Sequence, residues 1–252
     1  MQHHQPHTVV FEGLLSVQAA IKGETRKVEE VWVTSNQRTH KVMCLLNQAK
    51  MQGIKILRKP RADIDAMASG QTHGGIVALA GRRQYRTLDR LLATSHAPLL
   101  VMLDGVEDPY NFGQAIRAIH AAGSDGLIVG SRDWASAESI VARASAGASE
   151  FVPTVRTENV DRTCEELAER GLTIAMTAHD RRACTIYEAD LTGPLLIMLG
   201  GERRGVRRSL RRRVDLLLRV PYGRRFGPSL GTTAAAAAVT FEAMRQRMAT
   251  QS

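Results

Sequence analysis

The residues able to do chemistry gather in three stretches. Residues 104–117 read DGVEDPYNFGQAIR: Asp108 and Pro109 turn the chain, Asn111 can cap a helix or hydrogen-bond, and Gly113 lets backbone come close. Arg117 lies four residues beyond Gly113 on the same helical face. Residues 195–213 run from the apolar LLIML into GGERRGVRRSLRRR, and residues 220–233 read VPYGRRFGPSLGTT. Between residues 202 and 225 there are ten arginines against only Glu202 and Asp215. Solvated faces mix both signs, so this cluster predicts contact with phosphates. Glycine loops in an α/β chain suggest nucleotide binding, yet no GxGxxG opens a helix after a strand and no Walker lysine is present.

Loops of this kind need strands to carry them. Residues 195–199 and 214–220 have strand length and apolar character, and the alanine-dense stretch from about 232 to 248 predicts a helix. Upstream, residues 99–103, 127–129, 151–155 and 172–177 read as short apolar strands, alternating with helices over 113–122, 137–146 and 159–170. Such strands, without polar alternation, predict a mostly parallel sheet with helices on both faces, its loops at the strands' carboxyl ends building the site. The run of alanines 234–238 implies close packing, against that sheet or a second subunit.

The amino-terminal part, residues 1–80, reads as a separate small α/β domain. It has helices over 13–22, 40–52 and 62–68, strands over 28–34 and 54–57, and a hairpin-like closing strand over 75–80. Gly74 and Gly75 predict a tight backbone approach, with His73 as a turn residue. The polar GRRQYRT opens a linker, residues 81–97, before the carboxyl-terminal domain 98–252.

Composition narrows the classes. The net charge of +9 favours a polyanionic partner, although 28 of the 34 basic residues are arginine, a bias of composition as well as of function. No apolar run reaches the roughly 20 residues of a membrane span, and the first residues lack a signal-peptide pattern, so a cytoplasmic protein is expected. Cys44, Cys164 and Cys184 are too scattered for a disulfide framework or zinc site and are read as buried thiols. His3, His4 and His7 read as solvated, and no metal is expected.

Taken together, LDGVEDPYNFGQAIRAIHAAG, IMLGGERRGVRR and LLLRVPYGRRFGPSLGTTAAAAA resemble the three motifs of the SpoU, or TrmH-like, RNA 2′-O-ribose methyltransferases. Residues 9–80, ending THGGIVALA, are similar to the ribosomal-protein-like substrate-binding domain that many members carry, and RASAGASE (143–150) is also family-typical. The resemblance implies an S-adenosylmethionine-dependent homodimeric enzyme with a deep trefoil knot in its carboxyl-terminal part. It implies catalytic roles for Asn111, Arg117 and Glu202, and cofactor contacts at Thr177, Ala178, Leu199, Gly200, Gly205, Val220, Tyr222, Ser229, Leu230 and Thr233. Arg203, Arg204, Arg207 and Arg208 would contact RNA backbone. A guanidinium, which keeps its proton throughout the physiological range, makes a poor free base, so Arg117 would clamp the target phosphate and hydroxyl and favour the developing alkoxide.

Two departures stand out. Gly231 replaces the third motif's asparagine, with Thr233 keeping a hydroxyl at the serine position, and Tyr222 replaces a commoner methionine ahead of a slightly long 223–228 loop. Ribosomal RNA is the expected substrate; transfer RNA, or a non-catalytic RNA-binding or ribosome-assembly role on the same fold, are the alternatives. A nicotinamide-dependent oxidoreductase lacks its phosphate loop.

Overall fold

The structure, a computed structural model, describes residues 8–250 apart from 24, 71, 132–136, 181, 202–204, 207–208 and 211–212. In chain order its elements are β1 (Val9–Glu12), α1 (Gly13–Lys22), β2 (Val28–Thr34), α2 (His40–Met51), β3 (Lys55–Lys59), α3 (Arg61–Met67), β4 (Ile76–Ala80), α4 (Leu88–Leu92), β5 (Leu99–Asp104), α5 (Pro109–Ala121), β6 (Gly126–Gly130) and α6 (Glu138–Ala144). A 3-10 turn, Ala148–Glu150, precedes β7 (Thr154–Thr157), α7 (Val160–Glu169), β8 (Thr173–Thr177), β9 (Cys184–Thr185), β10 (Leu195–Gly200), β11 (Leu216–Arg219) and α8 (Thr232–Thr250). The chain forms two compact units, Met1–Gln84 with Asp133–Phe151, and Tyr85–Arg132 with Val152–Ser252.

In the first unit the sheet order is β1-β4-β2-β3. β4 is antiparallel to both β1 and β2 and lies between them, rather than returning as an edge hairpin. Every residue of β4 is buried because both of its faces are covered. Ile76, Ala78 and Ala80 join the core under α1 and α2, while Val77 and Leu79 pack with Trp32 and Ile64 on the other face. The four-residue β1 was not expected; it runs straight into α1 at Gly13, which takes a left-handed φ of +81. The tight approach occurs at Gly75 (φ +78), where an added Cβ would stand 2.7 Å from Thr34 Oγ1. His73 is a buried turn residue: its Nδ1 accepts from the Gly75 N–H at 3.3 Å and its Nε2 lies 2.9 Å from Asp65.

The second unit is built on seven strands ordered β7-β6-β5-β10-β8-β11-β9, every pair parallel. β10 pairs with β5 and β8 and is buried from Leu195 to Leu199, which explains its continuous apolar sequence. Asp108 caps α5 by accepting from the Asn111 N–H at 2.7 Å, with Pro109 at the first helical position. Asn111 is therefore not the cap. α8 packs along α5 and buries Ala236, Val239 and Ala243, so the alanine run serves helix packing within this unit.

Several boundaries differ from the sequence reading. Residues 81–97 contain α4, whose Leu91 is buried and fills the space a Cβ at Gly126 would need. α6 ends early because Ala146 (φ 51) and Gly147 (φ 86) take left-handed conformations, and β7 starts only after Pro153. β11 begins at Leu216 because Asp215 is occupied upstream, its carboxylate accepting from the Ile174 N–H at 2.8 Å. Of the cysteines only Cys164 is buried; Cys44 is exposed and Cys184 intermediate. Among the described residues no helix is long and apolar enough to cross a membrane, and no His, Cys, Asp or Glu cluster fits a metal.

The first unit is stapled by a buried charge cluster. Glu150 receives Arg26 Nε at 2.9 Å, Thr25 Oγ1 at 2.5 Å and the Arg83 guanidinium, and Arg26 also reaches Glu138 at 2.6 Å. Burial pushes the Glu150 carboxyl up, but Arg83 and Arg26 outweigh it and hold the group below the ordinary carboxylate value. A depressed folded pKa contributes stability that is present above the unfolded value of about 4.3 and is lost as pH falls through the folded value. Glu150→Gln should leave the Arg83 guanidinium without its carboxylate, with Arg26 keeping only Glu138, and cost about 3–5 kcal/mol at neutral pH. The penalty should shrink below about pH 4, as shown by urea melts across pH; a pH-independent cost would exclude the ionic role.

Candidate functional site

The carboxyl ends of four neighbouring strands, β5, β10, β8 and β11, converge on one part of the second unit, as expected of an open parallel sheet. There the loops after β8, β10 and β11 and the start of α8 line a cavity of about 360 Å³. Its walls combine apolar side chains (Leu199, Val206, Leu218, Val220, Leu230), hydroxyls (Thr177, Ser229, Thr232) and the backbone of Gly200, Gly201 and Gly205. Apolar walls with a few convergent polar groups and bare backbone suit a small, flat ligand bearing hydrogen-bonding edges.

The loops are locked by short-range contacts. The Gly201 N–H donates to the Asp104 carbonyl and the Gly205 N–H to the Gly201 carbonyl, each at 2.8 Å. Three backbone segments consequently pass in contact. A Cβ on Gly201 would stand 2.0 Å from the Gly105 carbonyl oxygen, and one on Gly200 2.2 Å from Gly205 C and Val206 N. Thr177 Oγ1 donates to the Met198 carbonyl (3.2 Å) and Thr232 Oγ1 to the Gly200 carbonyl (3.1 Å). Thr233 Oγ1 reaches the Asn111 carbonyl at 3.4 Å, joining the α8 start to the first turn of α5.

Of the ten positions named from sequence for a cofactor, nine line this cavity: Thr177, Ala178, Leu199, Gly200, Gly205, Val220, Tyr222, Ser229 and Leu230. Thr233 is not in the wall and instead holds Asn111. Asn111 is half-buried at the start of α5, and Arg117 is exposed further along the same helix, with no ion pair among the described residues. Glu202, Arg203, Arg204, Arg207 and Arg208 lie outside the described residues. The reading missed Met176, His179, Gly201, Val206, Leu218, Thr232 and Ala235 in the wall. His179 and Gly201 directly extend strands already recognised, so the rule that ligands bind beyond the carboxyl ends would have found them. The inward positions of Leu218 and Ala235 depend on tertiary packing and carry no local signal.

Residues 98–241 match the model of the SpoU rRNA Methylase family. The chain belongs to the SpoU family. Residues 10–86 match the RNA 2′-O ribose methyltransferase substrate-binding domain. Similar relatives include the 23S rRNA (guanosine-2′-O-)-methyltransferase RlmB of Vibrio vulnificus, 36% identical over 95% of this chain and 97% of the relative. That of Pseudomonas syringae is 35% identical over 94% and 95%. Among solved structures, the SpoU methyltransferase AviRb from Streptomyces viridochromogenes, in complex with AdoMet, superposes with TM-score 0.79, 22% identity and coverage of 96% and 92%. An AdoMet-bound rRNA methyltransferase from Sinorhizobium meliloti gives 0.78 and 24%, covering 95% and 87%. These likenesses show the SpoU α/β fold with its mostly parallel sheet flanked by helices.

In this SpoU chain the glycine crossing is a steric requirement with a measurable cost. Gly201→Ala should lower the unfolding free energy by about 1–3 kcal/mol, because the Gly105 carbonyl is backbone and cannot swing away. Gly130→Ala, with nothing within 4 Å of its added Cβ, should stay within about 0.5 kcal/mol of wild type. Equal effects in denaturant titrations would show that the crossing is looser than described.

Proposed function

We propose that the chain transfers the methyl group of S-adenosylmethionine to the ribose 2′-hydroxyl of a guanosine in 23S rRNA. The observation that carries this reading is the cavity at the ends of β10, β8 and β11, tied through Thr233 to Asn111 on the helix that presents Arg117. The cofactor fits its lining. Gly205 (φ +60) has open space where a Cβ would stand, so the wall keeps both the left-handed turn and the volume that a side chain would take. Leu199, Leu218, Val220 and Leu230 supply apolar walls for an adenine ring, and Thr177, Ser229 and the glycine backbone supply polar edges.

Bound S-adenosylmethionine supplies an electrophilic sulfonium methyl. The protein's task is to align the ribose oxygen in line with it and to favour loss of the hydroxyl proton. Arg117, an exposed cation with no ion pair among the described residues, is suited to clamp the target's phosphate and stabilise the developing alkoxide. Glu202 is assigned to orienting an arginine or the ribose, and Arg203, Arg204, Arg207 and Arg208 to RNA backbone contacts. The first unit, with its substrate-binding match, is assigned to structured RNA. The same reading makes the enzyme a cytoplasmic homodimer with a trefoil knot in its carboxyl-terminal part; the exposed Phe241 and Met248, seven residues apart on α8, support a subunit contact.

Transfer of labelled methyl from S-adenosylmethionine to rRNA from cells lacking the gene, followed by separation of nuclease-resistant dinucleotides, should give a 2′-O-methylguanosine product. Label confined to transfer RNA, or absent while RNA still binds, would replace the rRNA reading. Arg117→Ala should lower turnover at least about 100-fold while cofactor affinity holds, and unchanged turnover would remove its assigned role. Gly231 leaves only backbone where the family's third motif carries asparagine, and its carbonyl accepts the Ala235 N–H at 3.0 Å to begin α8. Gly231→Asn should therefore leave turnover near wild type; a large gain would mark the wild-type chain as the impaired form.

A further inference from the structure

A second pocket, also about 360 Å³, adjoins the cofactor cavity on the side of the β11 loop. It shares His179, Val220 and Tyr222 with that cavity and adds Arg224, Arg225 and Phe226. The three rings form a run: His179 and Tyr222 centroids are 5.6 Å apart, and Tyr222 and Phe226 6.2 Å. The loop that carries them is braced, since Tyr222 Oη donates to the Pro228 carbonyl at 3.2 Å. Phe226 is nonetheless 58% exposed.

Charge in this pocket is one-sided. Asp180, the one acid among its described lining residues, is engaged by Arg182, with Nη2 3.1 Å from Oδ2 and Nε 3.3 Å from Oδ1. Arg219, also in the wall, gives its Nε–H to the Ala183 carbonyl at 3.0 Å. Arg224 and Arg225 are exposed and have no hydrogen bond or ion pair among the described residues. Two adjacent free guanidiniums beside an uncovered aromatic ring are the elements of a single-strand nucleic-acid platform, in which a base stacks and its phosphate meets a cation. A base still paired within an A-form duplex cannot offer its face to such rings, so the occupant must be unpaired.

We propose that this pocket holds an unpaired nucleotide of the RNA substrate, its base stacked on Phe226 and Tyr222 and its phosphate on Arg224 and Arg225. The pocket deepens the methyltransferase reading and rests on it, because it places RNA beside the methyl donor. The residues responsible are the ones in which this chain departs from the SpoU pattern: Tyr222 in place of methionine and the lengthened 223–228 loop. That loop is a substrate-positioning device.

The test uses the full chain, a short single-stranded oligoribonucleotide and a 23S rRNA transcript as RNA probes, and calorimetry for S-adenosylmethionine. Phe226→Ala should weaken oligonucleotide binding about tenfold, and Phe226→Trp should restore it, an outcome that a merely structural role would not give. The double variant Arg224→Ala, Arg225→Ala should reduce the slope of log affinity against log salt by about 0.7 per lost phosphate contact. Cofactor affinity should hold in all three proteins. RNA binding unchanged in both loop variants overturns the proposal, as does a fall in cofactor affinity alone, which would assign the arginines to the cofactor's carboxylate. Methyl transfer by the wild type is scored separately, so failure of the reaction reading is seen apart from failure of the pocket.

Discussion

The second unit depends on one strand being filled from both sides. β10 lies between β5 and β8, and five of its six residues, Leu195 to Leu199, are buried. Its backbone groups have no water to turn to and must be satisfied by the two neighbours, which fixes the register of all three strands at once. Where β10 ends, its neighbours end too, and the chain must leave through a space bounded by the backbones of residues 105 and 205. Only glycine can pass there. The cavity is therefore a by-product of sheet termination: four strands stop together, side chains are excluded at the crossing, and main-chain groups become the wall.

The insertion has a kinetic side. Both β10 and β11 enter between strands made earlier in the chain, since β5 is followed outward by β6 and β7, and β9 precedes the strand that separates it from β8. Every pairing in this sheet is parallel, so each closes a long loop before it is rewarded, and slow folding follows. The centre of the sheet cannot be completed until residues near 200 are available, nor its β9 edge be joined until those near 219 are.

Much of this was legible in the sequence, for identifiable reasons. Buried parallel strands announce themselves as uninterrupted apolar runs, and LLIML, LLVML and TIAMT were readable to within a residue or two. The cavity wall was reachable through motif resemblance because its positions are glycines and strand ends. What escaped reading was decided by distant contacts. The two-residue β9 exists only because β11 lies beside it. α4 looks like linker until Leu91 meets Gly126. Asn111 was a plausible cap by residue type, and geometry gave that work to Asp108 three residues earlier. The second pocket was invisible for a similar reason, since the aromatic run joins residues from two different loops.

The buried carboxylate of Glu150 has a consequence for how the gene can be divided. Residues 133–151 sit between β6 and β7 in sequence but belong, by their packing, with the amino-terminal unit, so the chain passes from one unit to the other three times. Sequence order suggests two modules separable at the linker, but a fragment cut there carries Glu150 and Glu138 away from Arg26 and Arg83. Each half would then expose charges it was built to bury. The amino-terminal domain of this chain is thus not a detachable cassette: grafting it onto another methyltransferase requires moving the 133–151 insert with it.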